Sequence, residues 1–236
     1  MSKKAQVVAI YSVVTGLSLA MIIYFISLGK QVPTADLPIV SDAGKEDVVM
    51  MFPIEKDIDL TNQEGEAVKL SDIKGEVTLI AEFFAVCPHC AVRNGKELVE
   101  IYKQFGDHPE FRIVCISVDP EVDQVEQLKS YGDSLGADPR NWWFVRGESD
   151  EVVHDYLENT LKFFKIKKWR NPVDIASNGR YSHDMGFMLV NRDFEVIGKW
   201  PLVDARSDEA VERDPGLYGK LKLEMYDRIR EELDNQ

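Results

Sequence analysis

The chain has 236 residues, 44% of them hydrophobic, which suits one globular domain with an additional segment. Its formal net charge at pH 7 is −13. Lys3, Lys4 and Lys30 are the charged residues among the first 30, so the remainder carries 25 basic and 41 acidic side chains, a charge of −16. A surface of this charge repels nucleic acid and anionic lipid headgroups, and we exclude both as partners.

The N-terminal segment is apolar. No charged residue occurs from Ala5 to Leu28, a stretch of 24 residues. A helix of this length crosses the hydrocarbon core of a bilayer, which is about 30 Å thick. The two lysines before it favour a cytoplasmic N-terminus. We predict a retained transmembrane signal-anchor within residues 1–30 that leaves the rest of the chain in a bacterial periplasm. A cleaved signal peptide is the alternative.

Residues 31–50 mix proline, glycine and polar side chains and are predicted to be a linker, followed by one domain over residues 51–236. Within that domain, strand and helix patterns alternate and then give way to a hairpin and a closing helix, which is typical of a layered α/β domain. The predicted elements are a hairpin over 58–68, a helical turn over 70–75, a strand over 77–86, a helix over 88–105, a strand over 111–118, a helix over 121–132, a strand over 142–145, a helix over 151–164, hairpin strands over 187–190 and 195–200, and a helix from 214.

The motif Cys87-Pro88-His89-Cys90 lies where the strand over 77–86 passes into a helix, and it contains two of the three cysteines. A helix N-terminus stabilises a thiolate, which is both the nucleophile of disulfide exchange and a ligand for soft metals. Cysteines at the first strand-to-helix junction predict a thioredoxin-like three-layer fold with an N-terminal hairpin extension. Cys115, inside an apolar strand, is expected to be a buried filler and not a third reactive thiol.

Three further polar residues are candidates. His183 precedes the strand over 187–190, and in a thioredoxin-like fold that loop lies beside the cysteine pair; a solvated histidine is the alternative. Glu82 is the only charge in its strand. It is either a buried carboxylate that serves proton transfer near Cys90, or it points outward or pairs with a lysine, which we favour. His89 could stabilise the Cys87 thiolate when protonated.

The domain resembles the Sco/SenC family of membrane-anchored, thioredoxin-fold copper proteins over roughly residues 52–233. The matching segments are Phe84 through the cysteine pair, residues 116–121 with Asp123, and Ser182-His183 followed by residues 187–193. The resemblance implies that Cys87, Cys90 and His183 bind one copper ion, as Cu(I) or Cu(II). It implies an acceptor in the binuclear copper centre of cytochrome c oxidase. Asp119 also matches, although its position before Pro120 favours a helix cap.

The chain departs from the family in one respect, because it has Cys-x-x-Cys where the family has Cys-x-x-x-Cys. The shorter spacing is that of thiol–disulfide oxidoreductases. Two functions therefore stay open. The chain either binds copper and delivers it to, or reduces the thiols of, a respiratory oxidase copper site, or it is a periplasmic oxidoreductase that works without copper on another thiol protein. In the second case Cys87 attacks and Cys90 resolves the mixed disulfide.

Overall fold

The structure is a computed structural model that describes Gln6, Ser18, Met21 and residues 51–85 and 94–235. The chain divides into two units, Met1–Asp47 and Val48–Gln236. In the first unit the three described residues are helical and exposed. All of the strands and helices given below belong to the second unit.

Within the described part of the chain, no helix combines the length and the apolar character needed to cross a bilayer. The apolar segment Ala5–Leu28 falls almost entirely outside that part. The transmembrane anchor therefore stays a prediction.

The second unit is built on a mixed sheet whose central strands are parallel. The strands are β1 (Phe52–Pro53), β2 (Asp59–Asn62), β3 (Ala67–Lys69), β4 (Val77–Phe83), β5 (Phe111–Ser117), β6 (Trp142–Arg146), β7 (Lys167–Lys168), β8 (Tyr181–Ser182), β9 (Phe187–Val190) and β10 (Glu195–Trp200). Eight of them form one sheet in the order β1-β10-β9-β4-β5-β6-β2-β3, and β7 pairs with β8 separately. Strands β4, β5 and β6 are parallel, and β9 is antiparallel to β4. This order places the β4 strand next to the chain that enters β9.

Helices cover both faces of the large sheet. They are α1 (Lys96–Phe105), α2 (Val125–Leu135), α3 (Asp150–Asp155), α4 (Pro172–Asn178), α5 (Asp208–Arg213) and α6 (Leu217–Asp234). Because side chains of a strand alternate between faces, β4 contributes to two cores. Leu79 and Ala81 pack in the core that includes residues of α1, α2 and α6, whereas Ile80 packs in the core that includes residues of α3. The result is the three-layer α/β arrangement that the sequence predicts.

The predicted strands and the hairpin over 58–68 are confirmed, with the hairpin attached to the sheet through β2 and β6. Three helices differ from expectation. The closing helix predicted from residue 214 begins at Leu217. The helix predicted over 121–132 begins at Val125, and Gln124 precedes it without a side-chain cap. The helix predicted over 151–164 is shorter. Its α-helical part is α3, which ends at Asp155, and a π-helical turn follows over Tyr156–Thr160.

The β7–β8 pair and the short helices α4 and α5 are not predicted from the sequence. Two-residue strands carry too little periodicity to be recognised. The start of helix α4 could have been predicted, because asparagine followed by proline is a common N-terminal pattern of helices. In the structure Asn171 accepts a hydrogen bond from the Val173 N–H, and Pro172 is the first helical residue.

Cys115 is fully buried in β5, as predicted. Its burial raises the pKa of the thiol to about 12, because no water can solvate a thiolate there. A thiol of this kind is unreactive at neutral pH.

We expect iodoacetamide to leave Cys115 unmodified in the folded chain and to modify it after denaturation in urea, because alkylation requires an accessible thiolate. Peptide mass spectrometry of labelled samples measures this directly. Labelling of Cys115 in the native chain at the rate of an unfolded control would contradict the burial.

Candidate functional site

The cysteine motif lies in residues 86–93, which are outside the described part of the chain. The predicted positions of Cys87, His89 and Cys90 are therefore not tested by the structure. The surroundings of the motif are described, since Ala85 precedes this segment and Asn94 follows it.

The residue before the segment is tied to the end of the neighbouring strand. The Ala85 N–H donates to Asp123 Oδ2 at 3.1 Å, and the same oxygen accepts the Ser117 hydroxyl at 2.6 Å. Asp123 is completely buried, and Asp123 Oδ1 has no hydrogen-bond partner within the described ranges. Burial raises the pKa of Asp123 to about 6.

The residue after the segment is tied to the loop that contains His183. The Asn94 side-chain amide donates to the carbonyl of Met185 at 3.4 Å, and Asn94 is 3% exposed. Met185 is two residues after His183, and Asn94 is four residues after Cys90. The chain that follows the cysteine motif thus contacts the histidine loop.

Glu82 is buried in the central strand, with 1% of its surface exposed. Its Oε2 atom accepts the N–H of Asp184 at 2.7 Å, while Oε1 has no hydrogen-bond partner among the described residues. Burial raises the pKa of this carboxyl group. The favoured prediction, that Glu82 points outward or pairs with a lysine, is wrong. The Glu82 side chain lies on the same face of β4 as Ile80. On that face it contacts Asp184, in the loop before β9.

His183 lies directly beside Glu82. Its side chain is 4% exposed, and its Nδ1 atom is 3.7 Å from Glu82 Oε2. The same Nδ1 is 2.8 Å from the carbonyl oxygen of Asp184. A carbonyl oxygen can only accept, so Nδ1 carries a proton and, in the neutral ring, the lone pair lies on Nε2. Metal-ligating histidines commonly have this arrangement, in which one ring nitrogen donates to a carbonyl or carboxylate and the other binds the metal.

An ion pair fixes the backbone of this loop. Asp184 is 2% exposed, and its Oδ2 accepts Lys199 Nζ at 2.5 Å and the Phe164 N–H at 3.2 Å. Its Oδ1 accepts the Gly186 N–H at 2.8 Å. Lys199 also lies 4.7 Å from the ring centre of Phe163. A carboxylate with three such contacts holds residues 184–186 in one conformation and, through them, the ring of His183.

Asp119 does not act as the helix cap that its sequence position predicts. Its carboxylate is fully buried and accepts from the guanidinium of Arg180. Arg180 also pairs with Asp150 at 3.0 Å. This interaction joins the end of β5 to the chain that enters β8, so Asp119 supports the strand that leads to His183.

The structure therefore brings Glu82 and His183 together. It adds Asp184, Lys199 and Asp123, none of which the sequence analysis assigned to the site. A signal for Lys199 was present, because it is the one cation in β10, in the stretch of otherwise uncharged residues that follows Glu195. Within residues 51–85 and 94–235, no three His, Cys, Asp or Glu side chains converge in a way that could hold a metal ion. The candidate ligands Cys87 and Cys90 lie outside these ranges.

The SCO1/SenC family model matches residues 50–213. The chain belongs to the SCO1/SenC family. It is 30% identical over 139 residues to the SCO1 protein homolog of Bacillus subtilis (strain 168), which covers 58% of this chain and 67% of that protein.

Solved structures of this family share the thioredoxin-like fold. Bradyrhizobium japonicum ScoI with copper bound is 23% identical, with a TM-score of 0.52 over 72% of this chain and 98% of ScoI. BsSco, described with a disulfide switch as a member of the Sco family of cytochrome c oxidase assembly proteins, is 24% identical. Its TM-score is 0.51 over 64% of this chain and 85% of BsSco.

We expect Asp123→Asn to make the free energy of unfolding less dependent on pH. The folded-state pKa of about 6 lies above the ordinary aspartate value of 3.8, so the folded chain retains the proton that an unfolded chain releases. This contribution to stability is complete below the unfolded pKa and is lost as pH rises through the folded pKa. Asparagine accepts the same hydrogen bonds without a buried charge. The stability of Asp123→Asn relative to wild type should therefore rise by about 1–3 kcal/mol between about pH 4 and pH 7.

Urea unfolding at a series of pH values measures this difference, with the exposed substitution Asp107→Asn as the control. A difference between Asp123→Asn and wild type that is constant with pH, or that falls as pH rises, would show that Asp123 does not retain its proton in the fold.

Proposed function

We propose that this chain binds copper through Cys87, Cys90 and His183 and passes it to the copper site of a respiratory oxidase, or keeps the thiols of that site reduced. The proposal rests on the geometry of His183. Its Nδ1 donates to the Asp184 carbonyl, so that Nε2 is the nitrogen with the lone pair. The loop that holds this ring contacts Asn94, four residues beyond Cys90.

The donor set suits the ion. Two thiolates and one imidazole form a soft site of the kind that Cu(I) prefers, and such a set can also hold Cu(II). Membership of the SCO1/SenC family supports this, as do the copper-bound structure of Bradyrhizobium japonicum ScoI and the description of BsSco as a cytochrome c oxidase assembly protein. The carboxyl group of Glu82 lies behind the ring and, when ionised, makes the imidazole a stronger donor.

The proposed topology follows from the sequence. Residues 1–30 form an anchor in the bacterial inner membrane with the N-terminus in the cytoplasm, residues 31–50 form a linker, and residues 51–236 form the thioredoxin-like domain in the periplasm. A domain held at the membrane surface would meet the copper-acceptor subunit of a respiratory oxidase there.

The spacing of the cysteines supports a second candidate function, thiol–disulfide exchange without copper. Cys-x-x-Cys closes readily into a disulfide and is common in oxidoreductases. In this reaction the Cys87 thiolate attacks one sulfur of a disulfide in the partner. The other partner sulfur leaves as a thiolate, and the attacked sulfur stays bonded to Cys87 in a mixed disulfide. Cys90 then attacks Cys87, which releases the second thiolate. The partner is reduced by two electrons and this chain is oxidised to the disulfide.

We expect the reduced full-length chain to bind one Cu(I) per molecule in competition with a chelator under anaerobic conditions. Substitution of a metal's outer-shell partner commonly costs 10–100-fold in affinity, so His183→Ala, which removes a ligand, should cost about 100-fold or more. His108→Ala is the control, since His108 lies in the turn before β5, whereas the motif follows the opposite end of the neighbouring parallel strand β4.

Tight one-to-one binding that His183→Ala leaves unchanged would remove His183 from the site. An absence of competitive binding, together with rapid turnover in a disulfide-reduction assay, would replace the copper proposal with the oxidoreductase.

We expect Glu82→Gln to weaken Cu(I) binding by about 10-fold while the chain stays folded. Glutamine can still accept the Asp184 N–H, but it cannot place a negative charge behind the imidazole. The same competition titration measures the affinity, and thermal unfolding of the apo chain measures stability. An unchanged copper affinity would show that the carboxylate does not act on His183.

A further inference from the structure

A cluster of positive charge lies beside the histidine loop of this acidic protein. Residues 159–173 contain no acidic side chain. They include five cations, which we call the basic segment: Lys162, Lys165, Lys167, Lys168 and Arg170. All five are exposed. Elsewhere in the domain, cations are commonly paired, as Arg180, Lys199 and Lys222 are.

The five cations of the basic segment have no such carboxylate partner among the described residues. Within residues 51–85 and 94–235, none of them lies within 4.0 Å of a carboxylate. Five like charges over nine residues repel one another. Lys162 donates to the Asn159 carbonyl at 2.5 Å, and Lys168 lies 5.7 Å from the ring centre of Tyr181. The carboxylate of Glu158 accepts the Ile166 N–H at 2.8 Å, which reduces the repulsion without removing it. An anionic binding partner would offset it.

The basic segment is joined to the candidate site by backbone contacts. Strand β7 pairs with β8, which places Lys167 opposite Ser182, the residue before His183. The Trp169 N–H donates to the Arg180 carbonyl at 2.9 Å, and the Phe164 N–H donates to Asp184 Oδ2 at 3.2 Å. The segment is therefore attached to the chain on both sides of His183.

Large apolar side chains are exposed among these cations. Phe164 is 52% exposed, Trp169 is 36% exposed and Val173 is 69% exposed. Aromatic residues and arginine are enriched where proteins bind one another, and exposed aromatics combined with charge commonly mark interaction sites.

We propose that the basic segment, with Phe164 and Trp169, is the docking surface for an acidic protein that presents its own cysteine pair to His183. This inference rests on the proposed function, because it names the partner class of the same site. A protein is favoured over a membrane because the occupant must bring a reacting group to the site.

The charge distribution makes such docking selective. An acidic partner is repelled by most of this protein and attracted by the basic segment, so it approaches in the orientation that brings it to His183. Steering of this kind raises association rates by 10-fold or more and weakens as salt is added.

The experiment uses the copper-loaded full-length chain in an uncharged detergent. The probe is a synthetic peptide with a Cys-x-x-x-Cys centre flanked by glutamates, and the matched peptide has glutamines in their place. Stopped-flow absorbance follows Cu(I) transfer to each peptide. We expect the glutamate peptide to accept copper about 10-fold faster at low salt, and the advantage to disappear at high salt.

Matched variants locate the effect. Lys165→Glu/Lys167→Glu should abolish the advantage of the glutamate peptide. Lys56→Glu/Lys103→Glu changes the net charge equally at exposed lysines elsewhere and should retain most of it. Equal loss in both double variants, or no advantage in the wild type, would overturn the docking surface. So would binding of the basic segment to anionic phosphatidylglycerol vesicles without binding to the glutamate peptide.

A second readout separates this inference from the copper proposal. Glutamate peptide with alkylated cysteines cannot accept copper, so its binding, measured by microscale thermophoresis, reports docking alone. If the chain binds no copper but alkylated peptide still distinguishes the two double variants, the copper proposal fails and the docking surface stands. If copper binds normally and neither the transfer rate nor the peptide binding differs between the two double variants, the docking surface is wrong and the copper proposal is unaffected.

Discussion

The burial of one carboxyl group, Glu82, determines how the rest of the site is built. A carboxylate in the middle of a sheet is costly unless its oxygens are hydrogen-bonded. Here the loop before β9 supplies the Asp184 N–H to Glu82 Oε2 and places the His183 ring 3.7 Å from the same oxygen. That loop is in turn held by the pair between Asp184 and Lys199. The charges therefore depend on one another, and together they determine where a single histidine is presented.

The same loop connects three parts of the protein that are far apart in sequence. Through Glu82 it contacts the central strand, and through Met185 it contacts Asn94 at the end of the segment that contains the cysteines. Through β8 it is paired with the basic segment. A partner that docks on the basic segment and a ligand held by His183 would thus both act on this loop. This arrangement suits a protein that must pass an ion or a pair of electrons to another protein.

The sequence predicts much of this fold because its central strands are long apolar runs, and β4, β5, β9 and β10 are all found where expected. It also predicts the candidate residues Cys87, Cys90 and His183. What it does not predict is the partner of each buried charge. A single charge in an apolar strand is compatible with burial or exposure, and only the register of β4 with β9 decides that Glu82 faces His183. Likewise, Asp119 and Arg180 are 61 residues apart, so their pairing is a property of the tertiary structure.

The central claim is that the buried charges hold His183 as a ligand beside the two cysteines. X-ray absorption at the copper edge of the Cu(I)-loaded full-length chain tests it most directly, because the scattering identifies the atoms bound to the metal. We predict two sulfur ligands and one imidazole. A shell of sulfur alone, or one without sulfur, would contradict the account.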